Sequence, residues 1–380
     1  MTPRADTPIT LPLRPDLAGE VPYGAPQIDV PHLLNVNENP YPPGPQVVAT
    51  LAEYVSAAAS TLNRYPDRDF PALRSDLADY LAQESGVRVA TEQVWAANGS
   101  NEVMLHLMQA FGGPGRTALS FAPTYSMYPE YARDTHTRWV AGRREEDFTL
   151  DPEVAVATLR EHTPSIVILT SPNNPTGTAL PFSTIEAVCE AALELDVDGS
   201  PAVVVVDEAY AEFRRAGVPS ALELLERYPN LAVSRTMSKA FALAGARVGY
   251  LAGSTDLVDA LRIVRLPYHL SAVTQATARA ALAHAPALLA QVDSLRTERD
   301  ATVAWLRAQT LDGRPLQAAE SDSNFVLFGT FDDRHAVWQG LLDRGVLIRE
   351  TGPEGWLRVS IGTPQDMIAF KDALVEVAGL

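Results

Sequence analysis

The sequence has a single cysteine, no long uninterrupted apolar run and far fewer basic than acidic residues. Its 380 residues include 30 Lys and Arg against 47 Asp and Glu, which gives a formal net charge of −17. This balance disfavours nucleic acid or an anionic membrane as a partner, so any anionic ligand must be held by a local cluster of arginines. Cys189 cannot form an internal disulfide, and its helix-like surroundings predict a core residue rather than a nucleophile. A reducing cytoplasm fits this cysteine usage.

The sequence also lacks the signals of a membrane protein. Residues 1–15 have too many prolines and too short an apolar run for a signal peptide, and we expect a flexible lead-in there. The longest alanine-rich stretch, 271–290, contains Arg279 and His284 and is expected to be an amphipathic helix rather than a membrane span. No repeat or low-complexity linker follows the proline-rich start. The sequence predicts no membrane anchor and no metal site.

The length of the chain predicts more than one domain. An apolar content of 46% is enough to bury two cores. We predict an N-terminal arm over residues 1–45 that packs with the small domain and with the partner subunit. Prolines, glycines and little periodicity between Pro22 and Pro45 favour an extended surface segment, and such arms often belong to subunit interfaces. A large domain is predicted over 46–270, and a small domain over 271–380 that ends in a β-rich segment.

Helix-like and strand-like patterns alternate through the large domain. Residues 71–85 have a helical period that stops at Gly86, and residues 93–111 have the pattern of strand, turn and helix. Further strands are predicted at 137–141, 165–170, 202–206, 231–234 and 247–252. This alternation indicates an α/β protein with a largely parallel sheet and helices on both faces.

The residue that most needs an explanation is Lys239, within the segment 231–250. The apolar run before it predicts a buried strand, so Lys239 should lie just past a strand end, where α/β sheets usually keep their chemistry. Thr236 and Ser238 supply hydroxyl groups nearby, and Arg247 supplies a planar fork suited to a phosphate. A lysine beside an anion clamp is what pyridoxal phosphate needs. Taken alone, this pattern is more often a surface lysine near an unrelated arginine.

Two upstream segments strengthen the prediction. The valine run 203–206 delivers Asp207 to a strand end, and Tyr210 follows three residues later. Asn174 follows another apolar run at the same predicted edge. An acid can keep the cofactor's ring nitrogen protonated, while an amide and a phenol can hydrogen-bond its ring hydroxyl.

These segments together resemble a known family. The chain contains NPTG at 174–177, DEAY at 207–210 and TMSKAFALAGARVGY at 236–250, and other matching segments extend from VPYGAPQ at 21–27 to WLRVSIGT at 356–363. The set resembles the fold-type I, class II pyridoxal-phosphate-dependent aminotransferases, and within them the histidinol-phosphate aminotransferases. The resemblance implies a large domain with a mostly parallel seven-stranded sheet, a smaller α/β domain and a homodimer. Lys239, Asp207 and Tyr210 would be the catalytic residues.

The resemblance and the local pattern together suggest a phosphate site. The backbone N–H groups of Gly99, Ser100 and Asn101 lie at a predicted helix N-terminus, where they can bind phosphate, although such a turn is more often a simple cap. Asn101 stands where many relatives carry an acid, which leaves the role of its side chain open. Tyr65 is similar to the tyrosine that reaches the partner subunit's cofactor phosphate. The alternative for Tyr65 is a packed aromatic residue before a proline turn.

The remaining predicted contacts concern the ring and the substrate. Tyr125 matches the aromatic residue that stacks on the cofactor ring, although a tyrosine here could merely cover the core. By resemblance, Tyr23 and Asn37 border the substrate. Arg349 and Arg358 lie in strand-like segments and are candidate anion clamps, because an arginine inside an apolar strand is costly unless it meets an anion. Exposed edge-strand arginines are the simpler alternative.

The reaction that the resemblance implies is the transfer of an amino group between L-histidinol phosphate and 2-oxoglutarate in histidine biosynthesis, which gives imidazole acetol phosphate and L-glutamate. Two other reactions suit the same scaffold, namely transamination of aromatic amino acids and decarboxylation of a phosphorylated amino acid. A non-enzymatic alternative is the effector domain of a transcription regulator. That alternative requires a basic helical DNA-binding domain, and the N-terminal segment here is too short and too rich in proline.

Overall fold

The computed structural model describes residues 11–380 and is built around a seven-stranded sheet. Residues 1–10 of the predicted lead-in 1–15 lie outside the described part of the chain. The strands are β1 (His32–Leu33), β2 (Val94–Ala97), β3 (Thr117–Ala122), β4 (Arg138–Arg143), β5 (Ile166–Thr170), β6 (Val203–Asp207), β7 (Leu231–Thr236), β8 (Gly249–Gly253), β9 (Thr310–Leu311), β10 (Arg314–Pro315), β11 (Gln317–Ala318), β12 (Phe325–Gly329), β13 (Val346–Leu347) and β14 (Trp356–Ser360). The helices are α1 (Pro45–Ala59), α2 (Pro71–Ser85), α3 (Ser100–Phe111), α4 (Met127–Asp134), α5 (Pro152–His162), α6 (Phe182–Glu194), α7 (Thr255–Val264), α8 (Ala272–Leu282), α9 (Ala285–Arg307), α10 (Arg334–Asp343) and α11 (Pro364–Ala378).

The large sheet has the strand order β2-β8-β7-β6-β5-β3-β4. Only β8 runs antiparallel to its two neighbours, and the other adjacent pairs are parallel. The prediction of a mostly parallel seven-stranded sheet in an α/β fold is therefore confirmed. Strands β5 and β6 are buried over their whole length, as their runs of valine and isoleucine require. The carboxyl ends of β5, β6 and β7 consequently meet at one edge of the sheet.

The C-terminal region forms a smaller sheet. Strand β12 pairs antiparallel with β11 and β14, and helix α10 packs against α11 and β13. Helix α8 packs against α1 and α2, and α2 packs against β2 of the large sheet. The predicted domain limits remain predictions, but this packing favours a boundary near the start of α9 rather than at residue 270.

The arm does not run over the surface along its whole length, so the prediction of an exposed segment is wrong for residues 34–37. Its contacts with the C-terminal region agree with the predicted packing against the small domain. Strand β1 pairs in parallel with β13, and Leu34, Asn35 and Asn37 are buried. The Ser360 N–H donates to the Leu34 carbonyl at 2.9 Å, so the rest of the fold satisfies the backbone of this segment. Proline and a lack of periodicity predicted the absence of a helix correctly, but they carry no information about exposure.

Two further predictions can be compared with the structure. Residues 271–290 form two helices rather than one, because α8 ends at Leu282 and α9 begins at Ala285 after a turn at His284. Cys189 is fully buried on α6, and burial raises the pKa of its thiol to about 12, as expected for a core residue. Within residues 11–380, no helix combines the length and apolar character that a membrane crossing needs.

Candidate active site

A cavity of about 440 Å³ opens at the carboxyl edge of the large sheet. Its walls include residues from the N-terminal arm, from the loops after β5, β6 and β7, and from the end of the small sheet. The predicted site residues that line it are Tyr23, Asn37, Ser100, Asn101, Tyr125, Asn174, Asp207, Tyr210, Thr236, Ser238, Lys239, Arg247, Arg349 and Arg358. Gly99 lies directly behind this lining, and Tyr65 lies elsewhere.

Lys239 is placed three residues beyond the end of β7. Its Nζ donates a hydrogen bond to the Val36 carbonyl at 3.0 Å, across the cavity from the sheet. Burial of the amino group, helped by the positive charge of Arg358, lowers the pKa of Lys239 to about 8. A substantial fraction of this amine is therefore neutral near physiological pH, which is the form that can attack an aldehyde.

Asp207 ends β6 with its carboxylate buried at the floor of the cavity. The Tyr128 hydroxyl donates to Oδ2 at 2.7 Å and the Ala209 N–H donates to Oδ1 at 3.1 Å. Burial nevertheless raises the pKa of Asp207 to about 6. A cationic partner, such as a protonated ring nitrogen, would offset this cost. The role of Tyr128 was not predicted, since nothing in its sequence position distinguishes it from a core tyrosine.

A chain of hydrogen bonds connects the two sheets beside Asp207. The Asn37 side chain donates to the Tyr210 hydroxyl at 3.0 Å and accepts a bond from the Ser360 hydroxyl at 2.9 Å. Arg358 donates to the side-chain oxygen of Asn174. Burial raises the pKa of Tyr210, so its phenol remains protonated. Asn174 and Tyr210 therefore both present hydrogen-bonding groups to the same region of the cavity.

Arg349 and Arg358 face one another in an antiparallel backbone bridge with N–H···O distances of 3.0 and 2.9 Å. Arg358 is only 7% exposed, which excludes an exposed edge-strand arginine, and Arg349 is half-buried. Burial lowers the pKa of Arg358 to about 10, and its guanidinium lies 5.1 Å from the centre of the Phe325 ring. Its Nε has no hydrogen-bond partner among residues 11–380. These features fit a site for an anion.

The predicted phosphate site is assembled where α3 meets β8. Gly99 has φ +83°, and a Cβ there would lie 2.5 Å from Nη2 of Arg247. Arg247 Nη1 also donates to the Ser238 hydroxyl at 3.4 Å, and Ser100 begins α3. The backbone N–H groups of a helix N-terminus, hydroxyls and a guanidinium suit a phosphate.

Gly249 belongs to the predicted phosphate site by its position, and the sequence analysis missed it. A Cβ at Gly249 would lie 2.1 Å from the backbone nitrogen of Ser100. The loop at residues 99–100 can therefore approach β8 only because residue 249 has no side chain. A glycine opening the strand at 249–253 was the available signal, but it gives no partner by itself.

The predicted aromatic residues have separate positions. Tyr125 lines the cavity and makes an edge contact with Tyr128 at a centroid distance of 5.5 Å, while the Tyr23 hydroxyl accepts a bond from Ser126 at 3.1 Å. Tyr65 is 81% exposed and stacks on Tyr268 at 4.6 Å. It therefore does not reach the cavity of its own subunit, and it is not packed in the core.

The residues around the cavity fit pyridoxal phosphate, and the fold and this set of groups define an aminotransferase that depends on this cofactor. A family model described as aminotransferase class I and II matches residues 31–374. The histidinol-phosphate aminotransferase of Bifidobacterium longum is 60% identical over 375 residues, and that of Thermobifida fusca is 59% identical over 369. Each alignment covers 97% of this chain, and it covers 97% and 96% of the respective relative. The chain belongs to this class, in the histidinol-phosphate aminotransferase family.

A solved structure supports the fold independently. The histidinol-phosphate aminotransferase of Sinorhizobium meliloti, in complex with pyridoxal 5'-phosphate, has a TM-score of 0.82 with this chain at 22% identity. The match covers 98% of this chain and 99% of that protein. At this level of identity the likeness bears on the fold alone.

Proposed function

We propose that the protein is a cytoplasmic enzyme that transfers the amino group of L-histidinol phosphate to 2-oxoglutarate, giving imidazole acetol phosphate and L-glutamate. The family membership supports the reaction class. The observation that carries the choice of substrate is the arginine pair, Arg349 and Arg358, at the cavity wall. Histidinol phosphate has no α-carboxylate, whereas 2-oxoglutarate has two carboxylates. A guanidinium fork binds phosphate or carboxylate, so one pair can serve both substrates in turn.

Pyridoxal phosphate supplies an aldehyde that bonds to amines and a protonated ring that withdraws electrons from the substrate carbon. In this proposal Ser100, Thr236, Ser238 and Arg247 hold its phosphate, together with the backbone at 99–101. Asp207 keeps the ring nitrogen protonated through a charge-assisted hydrogen bond. Asn174 and Tyr210 bind the ring oxygen, and the ring of Tyr125 covers one face.

Lys239 has two tasks in the proposed reaction. Its amine would hold the cofactor until the substrate binds. Once free, the same amine would accept a proton from the substrate carbon and would later donate one. A lysine whose pKa is about 8 suits both steps, because it is readily deprotonated and is still basic enough to accept a proton.

The proposed substrate is tested by comparing donors with and without the phosphate. The wild type should use histidinol phosphate with a much higher kcat/KM than histidinol, and Arg358→Ala should lose most of this difference. Removing a charge-assisted contact in an enclosed site costs about 2–5 kcal/mol. Both half-reactions should suffer, because 2-oxoglutarate uses the same arginine. Arg344→Ala, which removes an exposed arginine paired with Glu376, is the matched control.

The outcome also separates the alternative reactions. Equal use of histidinol and histidinol phosphate by the wild type would contradict the phosphate clamp. Faster turnover of phenylalanine than of histidinol phosphate would favour an aromatic amino-acid aminotransferase. Release of carbon dioxide from a phosphorylated amino acid would favour a decarboxylase.

We further propose a homodimer in which Tyr65 serves the site of the partner subunit. Tyr65 stacks on Tyr268, and the nearby Ile263 and Leu266 are 84% and 74% exposed. An ion pair of 2.9 Å between Asp69 and Arg265 joins the two segments that carry these residues. The resulting apolar surface is suited to a second copy of the chain.

Mixed dimers test this assignment. Lys239→Ala subunits retain Tyr65, and Tyr65→Ala subunits retain Lys239, so one site of a mixed dimer is complete only if Tyr65 acts across the interface. Each mixed dimer of two nearly inactive variants should then have up to about half of the wild-type activity, so an equal mixture after random exchange should regain up to about a quarter. If no activity returns although mass measurement shows mixed dimers, Tyr65 does not act across the interface.

A further inference from the structure

A buried cluster of charges lies behind the strand ends that carry the candidate site. Its members are Glu84, Glu208, Glu212, Arg214 and Arg235. Arg235 is 1% exposed and donates twice to Oε2 of Glu208, at 3.0 and 2.8 Å. It also donates to Glu84 at 2.6 Å. A fully buried arginine held by carboxylates on two other segments is costly to assemble, so a specific function for it is worth seeking.

The positions of Glu208 and Arg235 connect this cluster to the cavity. Arg235 and Thr236 are consecutive residues of β7, so their side chains point to opposite faces of the sheet. Glu208 directly follows Asp207 at the end of β6, and its N–H donates to the Ser234 carbonyl at 2.8 Å. The ion pair therefore joins the ends of two neighbouring strands on the face away from the cavity.

Ser220 completes this connection. Its hydroxyl donates to Glu208 at 2.8 Å and accepts from Arg235 at 2.9 Å, and the Ala221 N–H donates to the other oxygen of Glu208 at 2.7 Å. Each oxygen of Glu208 is thus held by at least one donor. The carboxylate has little freedom to rotate, and the two strand ends have little freedom to separate.

We propose that Arg235 and Glu208 are positioning residues of the transamination site: their ion pair fixes the spacing between Asp207, at the end of β6, and the segment 236–239, at the end of β7. This inference rests on the proposed functions of Asp207 and Lys239. In the proposed function, Asp207 and Lys239 both hold the cofactor. A change in the spacing of β6 and β7 would therefore move these two residues relative to each other. Sub-ångström placement of this kind strongly affects rate.

The charge of Arg235 has a second effect, which concerns the protonation of Asp207. The negative charge of Glu208 adds to the effect of burial in raising the pKa of Asp207. Arg235 lies directly against Glu208 and counters that charge. Without Arg235, an unpaired carboxylate next to Asp207 would oppose the ionised state that holds the ring nitrogen.

The test compares three variants with a matched control. Arg235→Lys keeps the charge but loses the fork that reaches Glu208 and Glu84 together, and Glu208→Gln keeps the shape but loses the charge. Ser220→Ala removes one hydrogen bond from each partner, together with the bond that Ser220 accepts from the Leu222 N–H at 3.2 Å, and should disturb folding less than the two charged variants. Arg74→Lys is the control, because Arg74 is also buried but donates to the Thr91 and Val94 carbonyls. These carbonyls lie at or just before the start of β2, whereas the predicted phosphate site follows the end of this strand.

Two measurements distinguish positioning from general stability. Apoprotein is titrated with pyridoxal phosphate by visible absorbance to obtain Kd, and kcat and KM are measured well below the melting temperature. Arg235→Lys and Glu208→Gln should raise this Kd and lower kcat by about tenfold or more, and Ser220→Ala should change both by about threefold. KM for the amino donor should change little, because Arg358 lies on the other sheet. The control should lose thermal stability without these changes.

The results separate this inference from the proposed function. The wild-type protein should form an absorbance band with pyridoxal phosphate, and Lys239→Ala should not form it. If the wild type forms no such band, the proposed functions of Asp207 and Lys239 are themselves wrong. If that band forms but all folded variants bind the cofactor and turn over like the Arg74→Lys control, only the positioning inference is overturned. Should both charged variants fail to fold, an unchanged Kd and kcat in Ser220→Ala would overturn it as well.

Discussion

Replacing Asp207 by Asn should stabilise the cofactor-free protein above pH 6 while it slows the enzyme. The wild-type carboxylate is buried at the floor of the cavity, and burial raises its pKa from the ordinary 3.8 to about 6. Because the folded-state pKa is the higher one, the folded protein gains from the protonated carboxyl below pH 3.8 and loses this contribution as the pH rises through about 6. An amide at this position does not ionise and so avoids the loss.

The magnitude follows from the same pKa values and from the hydrogen bonds of Asp207. The difference between 3.8 and about 6 corresponds to about 3 kcal/mol at neutral pH. The Tyr128 hydroxyl can still donate to the amide oxygen, but the amide nitrogen cannot accept the bond from the Ala209 N–H. Losing that bond costs about 1 kcal/mol, which leaves a net gain of about 2 kcal/mol.

Urea unfolding of the two apoproteins at pH 5 and at pH 8 measures this effect. The variant should be more stable by a margin that grows between the two pH values. Asp147→Asn is the control, because hydrogen bonds from Thr149 hold the pKa of Asp147 below its ordinary value and its loss should stabilise nothing. An Asp207→Asn apoprotein that is less stable than the wild type at pH 8, or a margin independent of pH, would refute the reasoning.

Two further predictions concern Lys239, which would contact the cofactor, and Tyr128, which holds the carboxylate of Asp207. Lys239→Ala should abolish the visible absorbance of the bound cofactor and nearly all transamination, whereas Lys371→Ala, which removes a lysine paired with Glu298, should change neither. Persistence of the band after thorough dialysis would contradict the assignment. Tyr128→Phe removes a hydrogen bond to a carboxylate worth about 1.5–3 kcal/mol, so the pKa of Asp207 should rise and the acid limb of the kcat profile should move to higher pH. Tyr131→Phe removes a hydroxyl without a partner among residues 11–380 and should leave that limb in place.

The local patterns of the sequence were enough to predict the large sheet. Short β-branched runs such as 203–206 favour buried strands. Asp207 lies at the end of β6 and Lys239 lies three residues beyond the end of β7. Most of the predicted site residues therefore lie around one cavity. Their chemical functions are still predictions, since proximity alone does not assign a reaction.

The residues that the sequence analysis missed act through distant partners. Tyr128 is 79 residues from Asp207, and Ser360 is 323 residues from Asn37. Neither has a local pattern that indicates its contact. The contact of the arm with the small domain was predicted, but the burial of Leu34 and Asn37 was not, because it depends on the small sheet near the opposite end of the chain. Pairings of this kind arise from tertiary packing, which periodicity does not encode.

Strand β8, which is antiparallel to both of its neighbours in the large sheet, affects the order in which the candidate site can form during synthesis. Strand β8 separates β2 from the rest of the sheet, and Ala97 pairs with Gly249. The loop at residues 99–101 leaves the ribosome early, but the surface on which it rests is made about 150 residues later. A nascent chain that stops before β8 thus carries most of the residues of the predicted phosphate site without the strand on which the loop at 99–101 rests. The predicted phosphate site can therefore form only after β8 has joined the large sheet.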